Sequence, residues 1–219
     1  MAPDRQRTKR LLHLSPKGGS GKSGLSRLLM SAAIRDGLRA IGLDADPQGT
    51  FAGWMSKRER YRKKAPEVPY AEVRVAAFAD AARALDEIAA DLVVVDTPTA
   101  LENDPVATKA LILASDLVLI PCQPLDDDVR SVKTIMLTVQ ELGRPAYFVL
   151  NKVKRTVKEA ESSRRELGKV GPVIAASIPD SIQIARAMAH GLGVVETNGT
   201  GADDVSSVWA EAKRLLAMT

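Results

Sequence analysis

Pro16-Lys17-Gly18-Gly19-Ser20-Gly21-Lys22-Ser23 separates an apolar run, Leu11-Leu12-His13-Leu14-Ser15, from a stretch ending at Asp36 in which Leu25, Leu28, Leu29, Ala32 and Ala33 recur at helical spacing. A glycine-rich loop leading from a buried strand into a helix is a phosphate nest. Gly18, Gly19 and Gly21 can take positive φ and turn successive N–H groups toward an anion at the positive end of the helix. Lys22 is then spaced to reach the β- and γ-phosphates of a nucleotide, and the Ser23 hydroxyl to ligate Mg²⁺. The general pattern asks for Gly, four residues, then Gly-Lys-Ser/Thr. Here Pro16 stands at the first glycine position, and a second lysine, Lys17, follows it.

Two acidic strand ends complete the pattern. Ala40-Ile41-Gly42-Leu43 runs into Asp44-Ala45-Asp46-Pro47-Gln48, and Asp91-Leu92-Val93-Val94-Val95 into Asp96-Thr97-Pro98. Ligands of open parallel α/β sheets bind beyond the carboxyl ends of the strands, so these carboxylates should converge near Ser23. Asp96 is placed to hold a Mg²⁺-bound water, and Asp46 to orient or deprotonate an attacking water. Asp44 can alternatively start a turn or cap a helix.

The alternation of strand and helix patterns predicts an α/β protein, a three-layer P-loop NTPase fold with a mainly parallel twisted sheet flanked by helices on both faces. Strands are expected near 11–15, 38–43, 72–76, 92–96, 116–120, 146–150 and 173–176. Helices are expected near 22–36, 49–61, 79–90, 103–114, 126–142, 157–168, 181–191 and 203–217. With 219 residues, 45% of them hydrophobic, the chain can bury one substantial core as a single domain, 1–219, with a short basic segment at 1–10. Its single cysteine, Cys122, excludes an internal disulfide and argues against an iron–sulfur cluster, which needs several thiolates. No apolar stretch reaches the roughly 18 residues of a spanning helix, and the first residues lack an apolar signal segment, so a cytoplasmic protein is expected.

The loop, the Asp44-Ala45-Asp46-Pro47-Gln48 element and Val95-Asp96-Thr97-Pro98 together resemble the ParA/MinD family of deviant Walker ATPases, particularly its short plasmid and chromosome partition members. The resemblance continues in Leu117-Val118-Leu119-Ile120-Pro121-Cys122-Gln123-Pro124, Val149-Leu150-Asn151-Lys152 and Ile178-Pro179-Asp180, with Gly191 and Gly193 behind. It implies an ATPase using ATP and Mg²⁺ that forms a sandwich homodimer when ATP binds. By that resemblance Lys17 crosses the interface to phosphates bound by the other subunit and stabilises the transferring γ-phosphoryl, as an arginine finger does elsewhere. Lys17, Lys22 and Asp46 are the implied catalytic residues, and Ser23, Asp46 and Asp96 the metal site. The nucleotide is expected on Lys17, Gly18, Gly19, Ser20, Gly21, Lys22, Ser23 and Gly24, with Asn151, Pro179 and Asp180 at the adenine. Two departures stand out: Lys22-Ser23-Gly24 where many relatives carry two threonines, and Thr99-Ala100 where a Gly or second Pro is common.

Charge is uneven. Residues 1–64 hold 15 Lys/Arg against 5 Asp/Glu, and residues 65–219 hold 16 against 22. Basic clusters at Lys57, Arg58 and Arg60, and at Lys152, Lys154, Arg155, Lys158, Arg164 and Arg165, could neutralise DNA phosphates without reading bases. The resemblance implies non-specific DNA binding by the ATP dimer, a nucleoid-associated location, and a ParB-like centromere-binding or cargo-adaptor partner that stimulates hydrolysis. Positioning of a protein cargo on the nucleoid and a MinD-like membrane role are the alternatives. Val205, Val208, Trp209, Ala212, Leu215 and Leu216 form a terminal stripe that is expected to dock on the core, because Asp203, Asp204 and Glu211 would oppose an anionic bilayer. Asp126-Asp127-Asp128 is expected to cap a helix and complement its dipole.

Overall fold

A computed structural model of the chain describes residues 7–99, 101–154 and 158–218. Among the described residues six strands form one all-parallel sheet: β1 Lys9–His13, β2 Ala40–Asp44, β3 Glu72–Val75, β4 Leu92–Asp96, β5 Leu117–Cys122 and β6 Ala146–Leu150, in the order β3-β2-β4-β1-β5-β6. Because all six run the same way, the loop after β1 and the acids ending β2 and β4 emerge at one sheet edge. The register sets Asp44 of β2 beside Asp96 of β4.

The strands read as continuous apolar runs because both faces are covered. Leu11, Val94, Leu117 and Leu119 point to a layer made by α1 Lys22–Arg35, α2 Thr50–Arg62, α7 Ile182–Ala189, α8 Val194–Thr197 and α9 Ala202–Leu215. Their neighbours Leu12, Val93, Val95, Val118 and Ile120 point to the other layer, made by α3 Ala81–Asp86, α4 Pro105–Ala114, α5 Asp126–Glu141 and α6 Lys158–Gly168. The terminal stripe docks as expected: Val205, Val208, Trp209, Ala212 and Leu216 are buried, and the Trp209 indole donates to Asp36 at 2.9 Å. Among the described residues no helix is long and apolar enough to cross a membrane.

Three expectations need correction. Residues 173–176 form no strand, only a bridge from Val173 to Phe148. Phe148 N donates to Pro172 O and Ile174 N to Phe148 O, both at 2.9 Å, but the ladder stops there, and the Ile174 carbonyl that the next rung would use accepts from Arg164 at 2.5 Å. The helix expected over 79–90 is a 3₁₀ turn at Phe78–Asp80 followed by the short α3. Bonds from Glu87 N to Ala84 O and from Ile88 N to Leu85 O tighten its end ahead of β4. The three aspartates starting α5 do not cap it: the N-cap is Leu125, without a side-chain bond, and the acids occupy the first turn.

Candidate functional site

The loop after β1 bends at Gly19 and Gly21, with φ of +81° and +92°. Gly21 is required twice over, since a Cβ there would lie 2.1 Å from Asn151 Nδ2 as well as straining the backbone. Side chains from the ends of β5 and β6 hold the loop by its carbonyls: Asn151 Nδ2 donates to Ser20 O at 2.8 Å, while Gln123 Nε2 and Lys152 Nζ donate to Gly19 O at 2.7 and 2.9 Å. The loop's carbonyls are thus engaged from behind, which leaves its N–H groups to face a ligand.

A cavity of about 410 Å³ opens over this loop, lined by Gly19 to Gly24, Arg27, Asp46, Thr50, Asn151, Lys152, Pro179, Asp180 and Met188. Most expected nucleotide residues therefore meet in one place. Asn151, expected at the adenine, lines the cavity, but its amide is shared between Ser20 O and the N–H of Lys152. Pro179 is held there by a bridge to Val153, and Asp180 N donates to Val153 O at 2.9 Å. Lys17 and Gly18 stand outside the cavity. The Lys17 side chain is 44% exposed and pairs with Asp128 at 3.2 Å.

Asp96 does not line the cavity; it is fully buried, and burial pushes its pKa up to about 6 while the nearby Ser23 hydroxyl opposes the shift. Its Oδ1 is 3.4 Å from the Ser26 hydroxyl, which also lies 2.8 Å from Nδ1 of His13. His13 is completely buried and held neutral, its pKa lowered to about 3 by desolvation. Oδ2 of Asp96 is buried with no hydrogen-bond partner among the described residues. A carboxylate with one oxygen tied down and the other unpaired beside a serine hydroxyl is a hard-oxygen donor set of the kind Mg²⁺ takes. Lys22 is buried, its pKa lowered by desolvation and drawn back up by Asp96 and Asp46, and it donates to Ser15 O at 3.1 Å.

The two acids at the end of β2 and just beyond it divide their work. Asp44 is buried and accepts from Phe51 N and Ala52 N at 3.0 and 2.8 Å, anchoring the start of α2; burial raises its pKa against those bonds. Asp46 is half-buried, lines the cavity and accepts from Gln48 N at 2.9 Å. Thus Asp44 takes the capping alternative, and Asp46 faces the ligand space.

The basic clusters are less uniform than their sequence. Lys57, Arg60, Lys154, Lys158 and Arg165 are exposed, and Arg155 lies outside the described residues. Arg58 cannot meet DNA: it is wholly buried, bonded to Glu196, Pro69 O and Gly191 O, and stacked 5.4 Å from the Trp54 ring centroid. Arg164 is turned inward onto Ile174 O and Ser177, and Lys152 is used on the loop. Because α2 packs against β2 and β3 while α6 packs against β6, the two clusters stand at opposite ends of the strand order.

Sequence reasoning missed Arg27, Ser26, Gln123 and the Asp128 partner of Lys17. The spacing of Arg27 from Ser23, one helical turn, was the signal available for the first.

Comparison with known sequences decides the family. A profile of the CobQ/CobB/MinD/ParA nucleotide-binding domain matches residues 11–194. The chain belongs to that family. No curated sequence matches it. Among solved structures, it is similar to the septum site-determining protein MinD from Pyrococcus horikoshii complexed with Mg-ADP (16% identity, 95% of this chain and 97% of that one, TM-score 0.74). It is also similar to an ATP complex of a Cyanothece McdA variant (16%, 98% and 98%, 0.73) and to a plasmid partition protein from Borrelia burgdorferi (16%, 95% and 99%, 0.68). At these identities the likeness establishes the fold, an α/β P-loop NTPase.

Proposed function

We propose that this family member is a partition-type ATPase that forms an ATP-dependent sandwich homodimer, binds DNA without sequence preference and hydrolyses ATP weakly. A partner bound to its cargo, a plasmid or chromosome centromere complex, would stimulate hydrolysis and release it from DNA, in the cytoplasm and on the nucleoid.

The observation that carries this reading is the placement of Lys17. It sits on the phosphate loop yet outside the cavity of its own chain, 44% exposed, with the Asp128 carboxylate as its one cis partner among the described residues. A lysine so placed suits phosphates held by a second copy. Gly19 to Gly24 and Lys22 would bind the phosphates, and Asp46, the cavity-facing acid, would orient the attacking water and take its proton. Mg²⁺ would be held by Ser23 and, through water, by Asp96, and when bound it neutralises charge on the β- and γ-phosphates. The exposed Lys57, Arg60, Lys154, Lys158 and Arg165 offer phosphate contacts whose number doubles on dimerisation. Burial of the α9 stripe leaves that helix without a free apolar face for a bilayer.

The test is binding to random-sequence DNA with ADP, ATP and a non-hydrolysable analogue at two salt concentrations, with mass measured alongside. Salt-sensitive binding with ATP or the analogue only, at dimer mass, is expected; a dimer that ignores DNA would refute the partition reading. Lys17→Ala should lose ATP-dependent dimerisation or turnover. Asp46→Ala should keep ATP without hydrolysing it, and turnover at the unmutated rate would remove Asp46 from catalysis.

A further inference from the structure

Arg27 belongs to α1, four residues after Ser23 and three after Gly24, on the face of the helix that turns to the cavity. Side chains on a helix lean toward its N-terminus, and here Arg27 Nε donates to Ser23 O at 2.8 Å, which fixes the side chain along the first turn of α1 toward the phosphate nest. Its two terminal nitrogens make no hydrogen bond or ion pair among the described residues, although the residue is half-buried and lines the cavity. Burial lowers its pKa, and Asp96 and then Asp44 draw it back up, so its charge sits in a partly dry space beside the acids.

A Cβ at Gly24 would meet only Met188 Cε, at 3.9 Å, and would not touch Arg27, so the Arg27 side chain runs clear of that position.

Resting on the nucleotide-binding reading of the loop, we infer that Arg27 is a phosphate-contacting residue of the site, a cation supplied in cis beside Lys22. Charge favours it: Asp46 and Asp96 already act on Lys22, and a nucleotide brings further negative charge. A planar guanidinium with two free nitrogens suits bidentate phosphate contact, and its Nε anchor removes much of the ordering cost. The competing role is a brace, with Arg27 serving only to hold Ser23 O and balance Asp44 and Asp96.

Equilibrium titration of Arg27→Gln and Arg27→Lys with adenosine, AMP, ADP and ATP separates the two, with the melting temperature of each nucleotide-free protein measured beside it. Loss of a charge-assisted contact should weaken ATP binding by Arg27→Gln roughly tenfold to hundredfold. The loss should grow from AMP to ATP, spare adenosine, shrink in high salt and be partly recovered by Arg27→Lys, while the nucleotide-free melting temperature stays near the wild-type value. Equal losses for adenosine and ATP, or a fall in melting temperature with unchanged affinity, would overturn the contact. If the wild-type chain itself binds no ATP, the nucleotide reading fails, and Arg27 with it.

Discussion

Arg58→Ala separates a core arginine from the surface run that surrounds it. Its guanidinium is fully buried and makes five hydrogen bonds: Nε and Nη2 to Pro69 O at 3.1 and 2.9 Å, Nη1 to Gly191 O at 3.1 Å, and Nη1 and Nη2 to the two oxygens of Glu196 at 2.9 and 2.5 Å. The Glu196 side chain is itself only 9% exposed, so truncation leaves a nearly buried carboxylate with Gly193 N as its remaining donor. Removing one partner of such a pair costs about 3–5 kcal/mol, a large share of the ~5–15 kcal/mol that holds a typical protein folded. At about 2–4 °C per kcal/mol for a chain of this size, the melting temperature should fall by about 10 °C. Urea unfolding gives the free energy, and Lys57→Ala, at the adjacent but exposed position, should stay within about 0.5 kcal/mol of wild type. Pairing Arg58→Met with Glu196→Gln removes the stranded charge and should recover part of the loss, a departure from additivity of about 0.5–3 kcal/mol. An Arg58→Ala protein as stable as Lys57→Ala, or strictly additive single changes, would refute the argument.

Asp96→Asn should stabilise the protein at pH 7 without Mg²⁺: a folded-state pKa of about 6 against 3.8 unfolded penalises the ionised form by about 3 kcal/mol above pH 6, and the penalty vanishes below pH 4. The stability gap between the two proteins should therefore open as pH rises from 4 to 6, and Mg-ATP should reverse its sign; a gap that is flat with pH contradicts the assignment. Gly21→Ala should lose ATP binding, and adding Asn151→Ala should restore it only in part, because the clash at 2.1 Å is relieved while about 1–2 kcal/mol of left-handed strain remains. Full recovery in a titration would show that the backbone conformation is unimportant. Replacing Lys57 and Arg60, or Lys154 and Lys158, with alanine should flatten the salt dependence of DNA binding by about 0.9 log units per lost phosphate contact, equally for every sequence. Slopes unchanged in both pairs would remove these clusters from the DNA surface.

Much of the site was legible in the chain because its parts are local. The nest needs glycines and a Gly-Lys-Ser ending within one loop, and β4 and β6 coincide with their apolar runs at 92–96 and 146–150. The strand expected at 173–176 was not legible as a single bridge, because Arg164, on a different element, takes the Ile174 carbonyl that the next rung to β6 would use. The α8 turn was missed because four residues carry too little periodicity.

By itself, the sequence determined the fold class, the family and the phosphate loop, since strand period, helix period and glycine chemistry act over neighbouring residues. Only the tertiary structure decided which charges are free to work. Arg58 and Glu196 are 138 positions apart, Lys17 and Asp128 are 111, and Asn151 and Ser20 are 131. In each case a side chain that looked available in sequence, or one that looked incidental, had its role set by what the parallel sheet and its covering helices brought within 3.2 Å. Desolvation then did the rest, because a buried charge must find a partner while an exposed one need not.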